Sequence, residues 1–189
     1  MSEGADASGP PAWVGQARTA LRDATPCDVQ RALVPDTFCP YQKHAVEFAL
    51  SRGGRVLLGH EMGLGKTAMA LSIVAHFLPA DGPALIIAPP VLLEQWRSEI
   101  LLWVPGATRS DVQVVRKGSD RPDPSARFVL VSYAMATGVR DKHTYAQTNG
   151  QLRVAADGAD WRIVVADEAH LLKSPDSSRT RTLLPLLQK

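Results

Sequence analysis

The sequence predicts an α/β fold, a mostly parallel sheet with helices on both faces. Three observations predict it. From Phe38 onward, short apolar runs alternate with longer segments of helical period, the order expected when strands are joined by crossover helices. One run leads directly into a glycine-rich turn and an apolar helix, at GHEMGLGKT, residues 59–67. Another, RIVVA, ends on the paired acids Asp167 and Glu168.

Taken in order, Arg55–Leu58, Ala84–Ala88, Val112–Val115, Phe128–Ser132 and Arg162–Ala166 read as strands, apolar nearly throughout because helices would cover both faces. Tyr41–Arg52, Lys66–Leu78 and Val91–Val104 read as helices, with Gly53-Gly54 and Pro105-Gly106 closing the first and third. Residues 1–12, small, polar and rich in Pro and Gly, are expected to be disordered. Trp13–Ala24 fits a short helix, and residues 138–160, with weak periodicity, fit a surface insertion.

At 189 residues the chain allows one domain with a sizeable core. A formal net charge of +2 is too small to signal nucleic-acid binding, so any polyanion site must come from local clustering of Lys and Arg. Cys27 and Cys39 form no CxxC pair, which argues against a metal site or disulfide framework and for a reduced, intracellular protein. With no apolar leader and no long apolar run, secretion and membrane spanning both lack support.

The chemistry lies in two places. GLGKT fits a phosphate-binding P-loop, in which Gly63 and Gly65 let backbone amides approach a phosphate, Lys66 offsets β/γ charge and Thr67 ligates a metal. The strict GxxxxGK[ST] pattern requires glycine where His60 stands, but Gly63 can make the bend. Met62, Leu64 and Ala68 complete the stretch, with Met62 and Met69 expected to pack beneath it. A plain connecting loop is the alternative; a strand before and a helix after favour phosphate. At the second place Asp167 is suited to hold Mg²⁺ and Glu168 to orient or deprotonate the attacking water; a solvated acidic pair at a strand end is the alternative, and a P-loop of matching architecture upstream favours catalysis. His44, His76 and His143 show no ligand spacing.

The order FCPYQKHAVEFAL, EMGLGKT, LIIAPPVLLEQWRSEI, VLVSYAM and DEAHLLKSPDSSRTRTLL resembles the first RecA-like lobe of the Swi/Snf-type helicase-like ATPases of helicase superfamily two. The resemblance runs from about Phe38 to the C-terminus, and PYQK together with LLPLLQK is most similar to the annealing-helicase subgroup, which rewinds DNA at stalled forks. It implies ATP and Mg²⁺ as cofactors, double-stranded or forked DNA as partner, and a location that is nuclear if the source is eukaryotic and otherwise cytoplasmic or at the nucleoid. Under it Gln42 contacts adenine, Lys66, Asp167 and Glu168 are catalytic, Thr67 and Asp167 hold the metal, and His170 couples the nucleotide site to later motifs. Pro89-Pro90 with Gln95-Trp96, and Ser132-Tyr133, match segments lying along the nucleic-acid backbone, although Trp96 also reads as a core side chain. Lys173, Arg179 and Arg181 follow the acidic motif, where they could face phosphate or form a solvated helix face. His60 departs from the family, which has an acidic residue there.

Family members continue into a strand with a TGTP-like motif and a second RecA-like lobe that supplies an arginine finger. The resemblance therefore implies a weakly structured tail over residues 1–37 and an ATP-binding lobe over 38–189, truncated before the third helicase motif. Such a piece is expected to bind ATP but hydrolyse it poorly, and to leave a gap between the P-loop strand and the acidic strand. Two other readings stay open: a DEAH-type RNA helicase lobe, and a non-catalytic product that acts only by binding.

Overall fold

A computed structural model of the chain describes residues 34–81, 83–117, 120, 123, 125–137, 146–148, 151–152 and 161–187. The expectations for residues 1–12 and Trp13–Ala24, and most of that for 138–160, lie outside the described residues. The described elements are α1 (Pro40–Ser51), α2 (Lys66–Asp81), β1 (Ala84–Ala88), α3 (Leu93–Trp103), β2 (Val112–Val114), β3 (Phe128–Ser132), α4 (Tyr133–Thr137), β4 (Ala146–Thr148), β5 (Gln151–Leu152), β6 (Ile163–Ala166) and α5 (Ser178–Leu187). Short 3-10 turns precede α3 and β2 and follow β6.

Four strands form one sheet in the order β2-β3-β1-β6, and every pair in it is parallel. Central β1 aligns Ala84 with Phe128 on one side and with Ile163 on the other. Side chains alternate between faces along a strand. Ile86, Phe128 and Leu130 therefore share one face, which Leu71 and Val74 of α2 and Trp96 and Ile100 of α3 cover. Ile87, Val129 and Val131 share the other, under Tyr133 and Ala136 of α4, Trp161, and Leu183 and Leu186 of α5. Both faces are thus buried by helices, which is why these strands can be apolar at every position.

Local chemistry sets the helix ends. Pro40 occupies the first turn of α1, and Gln42 reaches back so that Cys39 N donates to its Oε1 at 2.8 Å, a capping box. The N–H of Gly54 bonds Ala49 O at 2.8 Å and closes that helix. At α5, Ser177 Oγ accepts from Thr180 N at 3.1 Å, and Thr180, Leu183 and Leu186 recur on the buried face.

One predicted strand is corrected. Arg55–Leu58 is not in the sheet: Val56 and Leu58 pack against the core between α1 and α2, while Leu57 is 80 % exposed. An apolar run becomes a strand only where a neighbour offers a ladder of backbone partners. Among the described residues β6 pairs with β1 alone, so nothing bridges to Arg55–Leu58. The pair β4–β5 is antiparallel and lies within the segment expected to be a surface insertion. No helix among the described residues is long and apolar enough to cross a membrane.

Candidate functional site

The glycine-rich loop turns at Gly63 (φ +81°) and Gly65 (φ +74°), both in the left-handed region. Gly65 has a second constraint: a Cβ there would lie 2.4 Å from Gln42 Nε2. Gln42 is held at both ends, since its Nε2 donates to Leu64 O at 3.2 Å while its Oε1 caps α1. Tyr41 Oη donates to the same carbonyl at 3.2 Å. The start of α1 thus braces the loop through two side chains. A primary amide still retains one N–H and one lone pair beyond these bonds, so Gln42 keeps capacity for a base edge.

Lys66 opens α2, and its Nζ donates to the carbonyls of His60 (2.8 Å) and Glu61 (2.9 Å). An ammonium whose acceptors are neutral carbonyls of its own loop suits an anion, which would give it stronger, charge-assisted bonds. Half-buried Thr67 and buried Ala68 follow in the first turn. Met69 is fully buried in the core between α1 and α2, but Met62, expected to pack as well, is 90 % exposed at the loop tip. The turn at Gly63 points Met62 outward, away from the packing role read from its apolar character. His60 Nδ1 is buried with no hydrogen-bond partner among the described residues, and its ring lies 5.8 Å from that of Tyr41.

The acidic pair follows β6, at the carboxyl edge of the sheet where α/β folds place their ligands. Asp167 N donates to Ile87 O at 2.8 Å and so extends the pairing with β1. Its carboxylate is held on both oxygens: Oδ1 accepts from Glu168 N and Oδ2 from the Trp96 indole, each at 2.8 Å. Its carbonyl accepts from Tyr133 Oη at 2.6 Å. Burial first, and the Asp167 charge second, push the Tyr133 phenol up to about 12. Glu168 takes a left-handed backbone (φ +53°), which costs a non-glycine residue about 1 kcal/mol and turns its side chain outward from the strand direction. Its Oε2 lies 3.0 Å from His170 Nδ1, and both side chains are exposed.

The helix that begins at Lys66 and the strand that leads to Asp167 belong to one core cluster, through Leu71, Val74 and Ile163. Among the described residues no group of three or more His, Cys, Asp or Glu side chains gathers around a common point. The donors available to a cation are oxygens of single residues, which fits Mg²⁺ held largely by water and phosphate better than a metal caged by protein.

The residues expected along a polynucleotide divide. Gln95, Lys173 and Arg181 are exposed, Arg181 with Asp176 3.5 Å away. Ser132 is buried, its hydroxyl accepting from Met135 N, and Arg179 turns inward with its guanidinium 5.5 Å from the Tyr133 ring centroid and its Nε buried. Trp96 is a core side chain, at 4 % exposure, whose polar end reaches the acidic pair. Sequence reasoning missed that link and the bond from Tyr133. Neither has a sequence signal, because the partners are 71 and 34 residues apart.

Comparison with known proteins agrees with this architecture. The chain is 35% identical over 151 residues to the DNA annealing helicase and endonuclease ZRANB3 of Bos taurus, covering 79% of this chain and 13% of that protein. It is 36% identical over 151 residues to the Mus musculus protein of the same name, with the same coverage. It is 31% identical over 149 residues to the SWI/SNF-related matrix-associated actin-dependent regulator of chromatin subfamily A-like protein 1 of Xenopus laevis, covering 79% of this chain and 14% of that protein. The chain therefore spans only 13% to 14% of the length of these relatives. These likenesses are to Swi/Snf-type proteins of the annealing-helicase subgroup and do not favour a DEAH-type RNA helicase lobe. Residues 41–189 match the family model described as the SNF2-related domain, and the chain belongs to that family.

Proposed function

We propose that this chain is the ATP-binding lobe of an ATP-dependent DNA translocase of the annealing-helicase type. The observation that carries the reading is Lys66. Its ammonium closes a glycine-rich turn at the start of a helix whose core also holds the strand leading to Asp167. A triphosphate would replace the carbonyls of His60 and Glu61 as acceptors for Lys66, and the amides of the Gly63–Gly65 turn would face its oxygens. Gln42 would meet adenine with its spare N–H and lone pair. Thr67 and Asp167 would hold Mg²⁺, which offsets phosphate charge when bound. Glu168 would orient a water and take its proton at the carboxylate, a role its exposure and its contact with His170 support.

Exposed Gln95, Lys173 and Arg181 are the side chains we assign to a duplex or forked DNA backbone; Ser132 and Arg179 drop out as direct contacts because both are turned inward. DNA as partner places the protein in whichever compartment holds it. Turnover and translocation belong to the whole protein, since they need a second RecA-like lobe closing on this one.

Equilibrium dialysis of the chain against labelled ATP with Mg²⁺ tests the site. Saturable uptake is expected, and Lys66→Ala is expected to weaken it roughly 10- to 100-fold, the equivalent of one charge-assisted hydrogen bond of about 1.5–3 kcal/mol. Equal binding by the variant would refute the assignment. In the whole protein, duplex or forked DNA is expected to raise ATP turnover, and stimulation by RNA alone would remove DNA as the partner.

A further inference from the structure

Two elements on opposite faces of the sheet converge on one residue. From α3, the Trp96 indole N–H donates to Asp167 Oδ2 at 2.8 Å; from the start of α4, Tyr133 Oη–H donates to Asp167 O at 2.6 Å. With Glu168 N on Oδ1, the side chain is fixed at both oxygens and the backbone at its carbonyl. A second buried tryptophan gives the comparison. Trp161 is 2 % exposed on the other face, and its indole N–H has no partner among the described residues. Both rings fill core. Of these two, Trp96 also directs its N–H at a carboxylate, as Trp103 does toward its helix neighbour Glu99 at 2.8 Å, but Trp96 alone of the three reaches Asp167; a donor to an ionised acceptor forms the stronger kind of hydrogen bond.

We propose that Trp96 is a positioning residue: its indole N–H sets the rotation of the Asp167 carboxylate, so that the remaining lone pairs face the metal-bound nucleotide. This rests on the function proposed above. A carboxylate oxygen can accept from Trp96 and still ligate a cation, because each oxygen has two lone-pair sites. Partners of this kind orient a ligating group before the metal arrives, and removing one typically weakens metal binding 10- to 100-fold without touching the metal. Tyr133 acts at the carbonyl instead and fixes where the residue sits, while α3 fixes which way its side chain turns.

The test uses Trp96→Phe, which keeps an aromatic ring but removes the indole N–H together with part of the ring volume, with Trp161→Phe as the control matched for that loss of volume. Mn²⁺ serves as the probe, and its binding to the chain in the presence of ATP is followed by the electron paramagnetic resonance of the free ion. Trp96→Phe is expected to weaken Mn²⁺ binding roughly tenfold, while ATP binding in EDTA and the unfolding midpoint stay near those of Trp161→Phe. Trp161→Phe is expected to bind Mn²⁺ like the unmodified chain. Equal Mn²⁺ affinity in both variants would overturn the proposal and leave the nucleotide site standing. No Mn²⁺-ATP binding by the unmodified chain would instead overturn the proposed function, and the positioning role with it. Should Trp96→Phe fail to fold, the ¹H–¹⁵N indole resonances of the unmodified chain decide: adding Mg²⁺ to the ATP-bound chain is expected to shift Trp96 and not Trp161, and an unmoved Trp96 signal would overturn the proposal.

Discussion

Gly65→Ala separates two costs that the loop geometry keeps apart. At Gly63 and Gly65 the backbone is left-handed, φ +81° and +74°, so alanine at either position costs about 1 kcal/mol in conformation. At Gly63 nothing lies within 4 Å of the new Cβ, and the cost ends there. At Gly65 the Cβ would meet Gln42 Nε2 at 2.4 Å, and the amide must move. Moving it breaks the bonds to Leu64 O and from Cys39 N, both exposed and each contributing about 0.5–1 kcal/mol. Gly63→Ala is therefore expected to lower stability by about 1 kcal/mol and Gly65→Ala by about 2–3 kcal/mol. Urea unfolding of both, and of Gly65→Ala in a Gln42→Ala background, gives the comparison. With Gln42 truncated, the added cost of Gly65→Ala should fall to that of Gly63→Ala, a coupling of about 1–2 kcal/mol. Equal destabilisation by the two glycine variants, or no coupling to Gln42, would show that α1 does not brace the loop and would refute the reasoning.

Two further outcomes follow from the core and from the acidic pair. Leu183 is fully buried on α5 against the face formed by Ile87, Val129 and Val131, so Leu183→Ala is expected to cost about 2–5 kcal/mol in urea unfolding; a change near zero would mean that α5 does not cover that face. The Tyr133 phenol, pushed up to about 12 by burial and by Asp167, keeps its proton in the folded chain at pH values where an unfolded tyrosine, near 10, has lost it. The folded state then binds more protons, so Tyr133 contributes stability that is intact below about pH 10 and is lost as pH rises toward about 12. Unfolding midpoints measured from pH 9 to 11 should fall less steeply in Tyr133→Phe than in the unmodified chain, and parallel curves would contradict the shift.

Much of this architecture is legible in the order of residues. Ala84–Ala88 and Phe128–Ser132 occupy the spans expected from their apolar runs, and Val112–Val114 and Ile163–Ala166 differ from expectation by one residue at an end. Each is a short run whose neighbours in sequence already mark its ends. The helix starting at Lys66 is equally local, since the glycine turn before it and the apolar period after it lie within one stretch. Arg55–Leu58 shows the limit of such signals, for it has the apolar character of a strand and lacks a ladder partner among the described residues. Met62 shows another, because an apolar side chain at a loop tip goes where the backbone turn sends it.

Composition and spacing alone determined the α/β class, the parallel character of the sheet, and the two stretches that hold the candidate chemistry around Lys66 and Asp167. These depend on periodicity and on contacts within a few residues, which the chain records directly. Folding in three dimensions decided which of the basic residues face outward, that Arg179 lies against Tyr133, and that a tryptophan in the core holds the Asp167 carboxylate. Those outcomes depend on how separate helices pack across a shared sheet, and a hydrogen bond between residues so distant in sequence exists only once that packing has set its length and angle.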